Sequence, residues 1–430
     1  MRSRYIYAAF AACIVVSGVR AAAAQTQPIA PDIVDLPAVM RLVRDASPRL
    51  AAERQTIVGA QADRITAGAY PNPTASFGRF RQGGGQATIF EGSHQDQVTF
   101  DVPVLVAGQR AARIERAERG IEAARARVAL GASTLSAEAA VAFVGLLAAQ
   151  EKQRLLGDVR QEIVRLRDII AGREKSGVAS RYDVTRFDVE LAGFDAKVGE
   201  AGAEVADRTG DLAVLLGLPQ WRPRAAGDLA PLRLDRFPGA DAAVAAAKSP
   251  AIVAATREAE AARSGVEVAR RERWPVPSVN FGRSWTSDPF GSANFLGLTV
   301  ELPIFDTRRG ALARAAAEAH SAELRRDVAL GEAAANLQRY ADMIARRQVA
   351  LERFDQDAWA RLPSLARMAE DAYRLGRGSI LELLDATRSR SELQQTRIDI
   401  IAALLAAQLR LLATTGDLND TVNLGAPAAR

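Results

Sequence analysis

The sequence predicts a mainly α-helical protein that contributes strands to a small membrane β-barrel. The unit is a strand hairpin followed by a long helical hairpin. It is present twice, and three chains are needed to close a 12-stranded barrel on a 12-helix α-barrel tunnel. Three observations predict this: an internal duplication, two pairs of amphipathic strand patterns, and helical patterns far longer than a globular domain requires. In the duplication, Ser47-Pro48 recurs as Ser249-Pro250 at a shift of 202, and Tyr70-Pro71-Asn72-Pro73 as Trp274-Pro275-Val276-Pro277 at a shift of 204. Asp101-Val102-Pro103-Val104 recurs as Glu301-Leu302-Pro303-Ile304 at a shift of 200, and Ser176-Gly177 and Leu216-Gly217 recur as Leu375-Gly376 and Thr415-Gly416 at 199. Anchors in one order at nearly one offset mark a repeated unit much longer than a solenoid repeat.

The elements follow in chain order. Residues 1–24 read as an export signal: Arg2 and Arg4, an apolar run from Tyr5 to Val19, then Ala22-Ala23-Ala24 before Gln25. Cys13, the only cysteine, lies inside that run, so the mature chain is expected to have no disulfide and no thiolate metal site. Removing Arg2, Arg4 and Arg20 from the formal charge of +5 leaves +2, which weakens the case for nucleic acid as a partner. The first repeat, 35–217, opens with a helix interrupted near Ser47-Pro48 and ended by Tyr70-Pro71-Asn72-Pro73, where proline enforces extended backbone. Strands are expected at 74–81 and 95–104, joined by the Gly-rich loop Gln82 to Ser93. In the second strand Gln95, Gln97, Thr99 and Asp101 alternate with Asp96, Val98, Phe100 and Val102. A helix then runs to about Arg173, a returning helix covers Arg181 to Leu216, and a Pro/Gly-rich linker, 218–238, joins the halves.

The second repeat, 239–416, has strands expected at 277–285 and 294–304. Val279, Phe281 and Trp285 oppose Asn280, Gly282 and Ser284; Leu296, Leu298, Val300 and Leu302 oppose Gly297, Thr299 and Glu301. Its long helix spans about Arg308 to Leu375 with a kink expected at Pro363. Ser379 with Glu382 three residues on has the spacing of a capping box at the start of the returning helix. Residues 417–430 are expected to form a tail. No segment after the leader is long enough to cross a bilayer as a helix; the best candidate, Ile400 to Leu409, is too short by about half.

Strands of this length with one apolar face suit a tilted passage through lipid, with Leu296, Leu298, Val300 and Leu302 facing the hydrocarbon. Four strands cannot close a barrel, and open edges in lipid would leave backbone groups unpaired at several kcal/mol each. Three chains supply twelve strands, so a cyclic homotrimer is the simplest closure. Charged helix positions then either line a water-filled conduit or form a solvated outer face.

The chain resembles the TolC-like outer-membrane factors. The likeness rests on the repeated Ser-Pro opening, the Tyr-Pro-Asn-Pro approach to the first strand, and Tyr373-Arg374-Leu375-Gly376 with Ser379 and Leu383-Leu384-Asp385-Ala386. It spans about residues 35 to 416. The stretch Pro103 to Arg113, with Gly108-Gln109-Arg110-Ala111-Ala112-Arg113, is most similar to the CzcC branch used in heavy-metal efflux. The resemblance implies the outer membrane of a Gram-negative bacterium as the location and a trimeric duct as the assembly. The duct's periplasmic end would be shut until a periplasmic adaptor and an inner-membrane pump engage. It places the adaptor-docking tip at Gly177, Val178, Ala179, Ser180 and at Gly376, Arg377, Gly378, Ser379. Asp183, Arg374, Glu382 and Asp385 are the gate candidates. Pro103 and Pro303 mark the junction of barrel and helices.

No catalytic constellation is present, so no enzyme activity and no cofactor are expected. His94, read as a loop residue, and His320, on a long helix, have no partner at metal-ligand spacing. A multidrug or type I secretion duct shares the predicted fold. A periplasmic adaptor would carry one hairpin rather than two, and a plain coiled-coil rod would lack lipid-facing strands.

Overall fold

The structure, a computed structural model, describes residues 30–81, 94–232, 248–286, 291–375 and 377–424. The leader expected at 1–24, the loop at 82–93, residues 233–247, 287–290 and 425–430, and Gly376 lie outside the described residues, as does the side chain of Arg374.

A short strand, β1 (Ile33–Val34), precedes α1 (Leu36–Ala46) and α2 (Pro48–Gly68). The Asp35 carboxylate accepts from the Ala38 N–H at 2.8 Å and caps α1. Pro48 occupies the first turn of α2, where its missing N–H is no loss, and holds Ser47 extended so that the two helices cannot fuse. Strands β2 (Thr74–Arg81) and β3 (His94–Pro103) follow, then α3 (Gln109–Lys175) and α4 (Arg181–Leu216). After β4 (Arg224–Ala225) the second copy supplies α5 (Pro250–Arg271), β5 (Ser278–Thr286), β6 (Ser292–Thr299) and α6 (Arg309–Asp357). A 3₁₀ turn, Trp359–Arg361, leads into α7 (Leu362–Arg374), and α8 (Ile380–Thr415) and α9 (Leu418–Leu424) complete the chain. At 1.5 Å per residue the 67 residues of α3 make a rod of about 100 Å.

The four long strands form one antiparallel sheet in the order β2-β3-β5-β6, so the two copies meet at β3 and β5, and the outer edges of β2 and β6 have no partner among the described residues. Along the helices the buried apolar side chains fall into three clusters. The central one joins Leu135, Phe143 and Leu146 of α3 to Val39 and Val43 of α1, Leu212 and Leu216 of α4, and Leu405 and Leu409 of α8. A second, nearer the hairpin turns, holds Ile163, Ile170, Phe187 and Phe194 with Ile380 and Leu384 of α8. The third joins Ile252, Leu337 and Ile344 to Leu404 and Leu411.

Several expectations are corrected. The strand expected at 294–304 ends at Thr299, so Val300 and Leu302 lie beyond it. The last pair is Ser278 with Thr299, and the next partner on β5 would be Pro277, which has no N–H to donate. The kink at Pro363 is a full break: α6 stops at Asp357, and Pro363 sits in the first turn of a separate helix, α7. The linker is not structureless, because β4 pairs in parallel with β1, and the Trp221 indole donates to the Pro31 carbonyl at 3.0 Å. The fully buried Gln408 amide meets both the N–H and the carbonyl of Leu232, at 2.9 and 3.0 Å. The tail begins with α9, whose Leu418 and Val422 enter the central cluster. His94 is the first residue of β3 rather than part of a loop. Finally, α3 and α8 each contain an 18-residue window of mean hydropathy 1.6, long and apolar enough to cross a membrane. Half of each window is buried, and Leu146, Leu405 and Leu409 from these helices share one core cluster, which accounts for their composition.

Candidate functional site

The sheet sorts its side chains by face. From the helices toward the loops, one face carries Val102, Val279 and Leu298, then Ala75, Phe100, Phe281 and Leu296, then Phe77, Val98, Arg283 and Asn294. The next rows are Arg79, Asp96, Trp285 and Ser292, and last Arg81 and His94. Along β5 the residues of this face, Phe281, Arg283 and Trp285, are exposed while Gly282, Ser284 and Thr286 between them are not. The apolar side is thus the more exposed one along β5. Leu296 and Leu298 are 78% and 67% exposed in the single chain and adjoin exposed Phe281, a contiguous apolar patch of the kind that marks a contact surface. The opposite face is mostly polar, with Ser76, Gln95, Gln97, Thr99, Asp101, Asn280 and Ser284 beside Phe80 and Phe295. There the Asn280 amide bridges strands, donating to the Asp101 carboxylate at 3.3 Å and to the Thr299 hydroxyl at 2.6 Å. Gly282 is required on this side: a Cβ would stand 2.2 Å from the Val98 carbonyl and 2.6 Å from the Phe295 ring.

Aromatic side chains bracket the apolar rows. Tyr70 and Trp274 lie exposed at the helix end and Trp285 at the loop end. The eleven residue steps from Trp274 to Trp285 span roughly 36 Å of extended chain, about 27 Å of height at a ~40° tilt. That is the height of the apolar band on a transmembrane barrel. Leu298, paired with Val279, falls near its middle.

The joint between sheet and helices is built by the motif at Gly108. Pro103 ends β3, and Gly108 turns the chain into α3 with φ +73°. Gln109 is buried and its side-chain oxygen accepts from the Ala107 N–H at 2.9 Å. The Arg110 guanidinium donates to the Gly68 carbonyl at 2.7 Å and lies 4.7 Å over the Tyr70 ring, fastening the end of α2. Arg113 pairs with Glu272 at 2.8 Å, fastening the end of α5. Pro303 lies in the corresponding link between β6 and α6, where Arg308 holds φ +54° at the position matching Gly108.

At the other end, the two hairpin turns repeat one construction. Gly177 has φ +73°, which closes the first turn with the Val178 N–H on the Arg173 carbonyl at 2.9 Å. Ser180 caps α4 and Asp183 returns a bond to the Ser180 N–H at 3.0 Å, a reciprocal capping box. In the second turn the Arg377 and Gly378 N–H groups both reach the Ala372 carbonyl at 2.9 Å, and Ser379 with Glu382 forms the second box. A Cβ on Gly378 would sit 3.0 Å from Ala372 Cβ. Asp183 and Glu382 thus spend their carboxylates on helix N-termini, and Asp385 is exposed on α8. The Ser180 box was legible at the same 199 shift as Ser379, with Asp in place of Glu.

What the sequence did not disclose is the set of ties between the two hairpins. Arg388 of α8 reaches Glu190 of α4 at 2.6 Å, and that bond first of all raises the guanidinium's pKa above its ordinary value. Arg390 pairs with Glu162 of α3, and Lys152 of α3 with Asp399 of α8 at 2.7 Å; within the second hairpin Arg397 pairs with Asp355 of α6 at 2.8 Å. Partners 42 to 247 residues apart leave no local signal. Among the described residues no group of three metal-ligating side chains occurs.

The chain is 27% identical over 327 residues to the cobalt-zinc-cadmium resistance protein CzcC of Cupriavidus metallidurans, covering 74% of this chain and 75% of that protein. It is 26% identical over 403 residues to the pyoverdine export outer membrane protein OpmQ of Pseudomonas putida, covering 89% and 86%. Among solved structures it matches the outer membrane protein VceC of Vibrio cholerae with a TM-score of 0.73 at 19% identity, covering 89% of this chain and 96% of that one. No family model matches the chain.

Proposed function

We propose that this chain, a TolC-like outer-membrane factor, is the exit duct of a tripartite efflux system and passively conducts heavy-metal cations to the outside. Its sheet lies in the outer membrane and its helices extend into the periplasm. The observation that carries the reading is the open four-stranded sheet, apolar outside and polar inside, mounted on helices of about 100 Å. Such a sheet is stable in lipid only when β6 of one chain pairs with β2 of the next, and three copies give the even strand number of a closed barrel. The duct performs no chemistry: its partners, an inner-membrane pump and a periplasmic adaptor, supply the energy and the cargo. The likeness to CzcC and the Pro103–Arg113 motif favour metal cations; the likeness to OpmQ supports an organic cargo as the second reading.

Within this reading the adaptor meets Gly177, Val178, Ala179 and Ser180 and the second turn, Gly376 to Ser379. Threefold repetition turns Asp183, Glu382 and Asp385, with Arg374, into the elements of a gate ring. Opening either breaks the Arg388–Glu190 and Arg390–Glu162 ties or carries both hairpins together. The test is a deletion strain. Sensitivity to cobalt, zinc and cadmium, restored by the wild-type gene but not by a Leu298→Arg copy, supports the reading. Sensitivity confined to organic compounds assigns the cargo to the second reading. Recovery of the purified chain as a water-soluble monomer overturns the duct itself. Because Cys13 is the only native cysteine, single cysteines at Val178 and Arg377 report on the tip: adaptor-dependent protection from maleimide is expected at both.

A further inference from the structure

The outward face of the sheet is apolar near the helices and cationic near the loops, and the cations are placed as a group. Arg283 rises from an apolar row, but its guanidinium climbs one row toward the loops. It donates to the Ser292 hydroxyl at 2.7 Å and lies 5.8 Å from the Trp285 ring centre. This is how a long cationic side chain leaves hydrocarbon for the polar boundary. On the same level Arg79 is held in a two-pronged pair with Asp96, at 2.6 and 2.7 Å, which fixes its plane. Arg81 is exposed in the next row out. Among the described residues three guanidiniums thus occupy the two rows around Trp285 with one carboxylate, while the first two outward rows hold no charge. The cations at the other end of the sheet are differently placed, since Arg110 and Arg113 are engaged by the Gly68 carbonyl and Glu272.

We infer that this band binds the phosphate groups of the phosphorylated glycolipid in the outer leaflet. The inference rests on the membrane placement of the sheet proposed above. An arginine carries five donors in a planar fork matched to phosphate oxygens. Arg283 spends one donor on Ser292 and Arg79 two on Asp96, so each retains donors for a headgroup that meets the barrel at Trp285. Arg79, Arg81 and Arg283 are the phosphate ligands, and Asp96 is a positioning residue for Arg79. The charge complements the phosphates of that glycolipid, and lipid surrounds the proposed barrel at that depth, so no separate recruitment is needed.

The experiment titrates the detergent-purified assembly with bisphosphorylated lipid A and with its dephosphorylated form, followed by native mass spectrometry. Wild type is expected to retain the phosphorylated form selectively. Arg81→Ala/Arg283→Ala is expected to lose roughly tenfold or more in affinity, and Arg81→Lys/Arg283→Lys to keep most of it. Equal binding of the two lipid forms, or unchanged binding by the double alanine variant, overturns the inference. Insertion into vesicles of phosphatidylethanolamine alone is measured in parallel. A wild type that fails to insert there sinks the duct reading together with this one. A wild type that inserts but ignores the phosphates sinks this one only.

Discussion

The long helix of the first copy and its counterpart in the second are one element written twice, and they differ in how the chain covers them. α3 touches α1, α2, α4, α5 and α8, whereas α6 packs on α5 and α8. Phe143, Leu146 and Leu147 of α3 are buried. At the 199–200 shift these positions become Asp342 or Met343, Ala345 or Arg346, and Arg346 or Arg347. On α6 the apolar Leu324, Val328 and Val349 stand 52%, 58% and 46% exposed. The first copy therefore serves as the mast of the single chain. The second keeps the length and turn but has an under-covered flank, which the proposed trimer would cover. The break at Trp359–Arg361 also belongs to the second copy alone.

The largest effect tests that contrast directly. Phe143→Ala is expected to cost about 3–5 kcal/mol, and Met343→Ala less than about 1 kcal/mol, by chemical unfolding in detergent. Equal losses would show that α6 is as fully packed as α3. Next is the sheet surface proposed to face lipid: Leu298→Arg near mid-height should cost about 2–4 kcal/mol and prevent insertion, whereas Phe77→Arg, two rows nearer the loops, should cost less. A third comparison sets Gly108 against Arg308 at the two joints. Arg308→Gly should stabilise by about 1 kcal/mol because it relieves a left-handed backbone, and Gly108→Ala should destabilise by a similar amount. Both are read as shifts in melting temperature. The smallest effect is on pH. Glu323 on α6 is held below the ordinary carboxylate range first by its bond to Arg263, and Glu267 on α5 by its bond to Arg271. A lowered folded-state pKa contributes stability that is present above the unfolded value and disappears as pH falls through the folded one, here below about pH 4.3. Glu323→Gln should flatten the acid limb of the melting curve slightly; an unchanged slope would mean the pair carries no linkage.

Much of the fold was legible because its punctuation is local. β2 begins and ends where proline and the Gly-rich loop set it, and α4 and α8 run between an N-cap serine and a positive-φ glycine, Gly217 or Gly416. Alternation along β3 and β5 assigned the faces without any partner strand. The hairpin turns carried only half their signal: Ser379 and Glu382 announced a capping box, and the same chemistry at Ser180 and Asp183 was readable only through the repeat. The β1–β4 pair was invisible because two residues carry no period and their partners are 191 apart. The apolar windows of α3 and α8 were misjudged because Ala, interspersed with Leu, spreads hydropathy over a length that only packing explains.

By itself the amino-acid order determined the duplication, the strand faces and the turn positions, since each depends on neighbours within a few residues. Tertiary structure alone decided that β3 and β5 join the copies, that Arg388 and Arg390 tie one hairpin to the other, and that three guanidiniums gather around Trp285. Those arrangements require residues up to 228 positions apart to meet, and contact at such separation is set by packing, on which sequence spacing places no constraint.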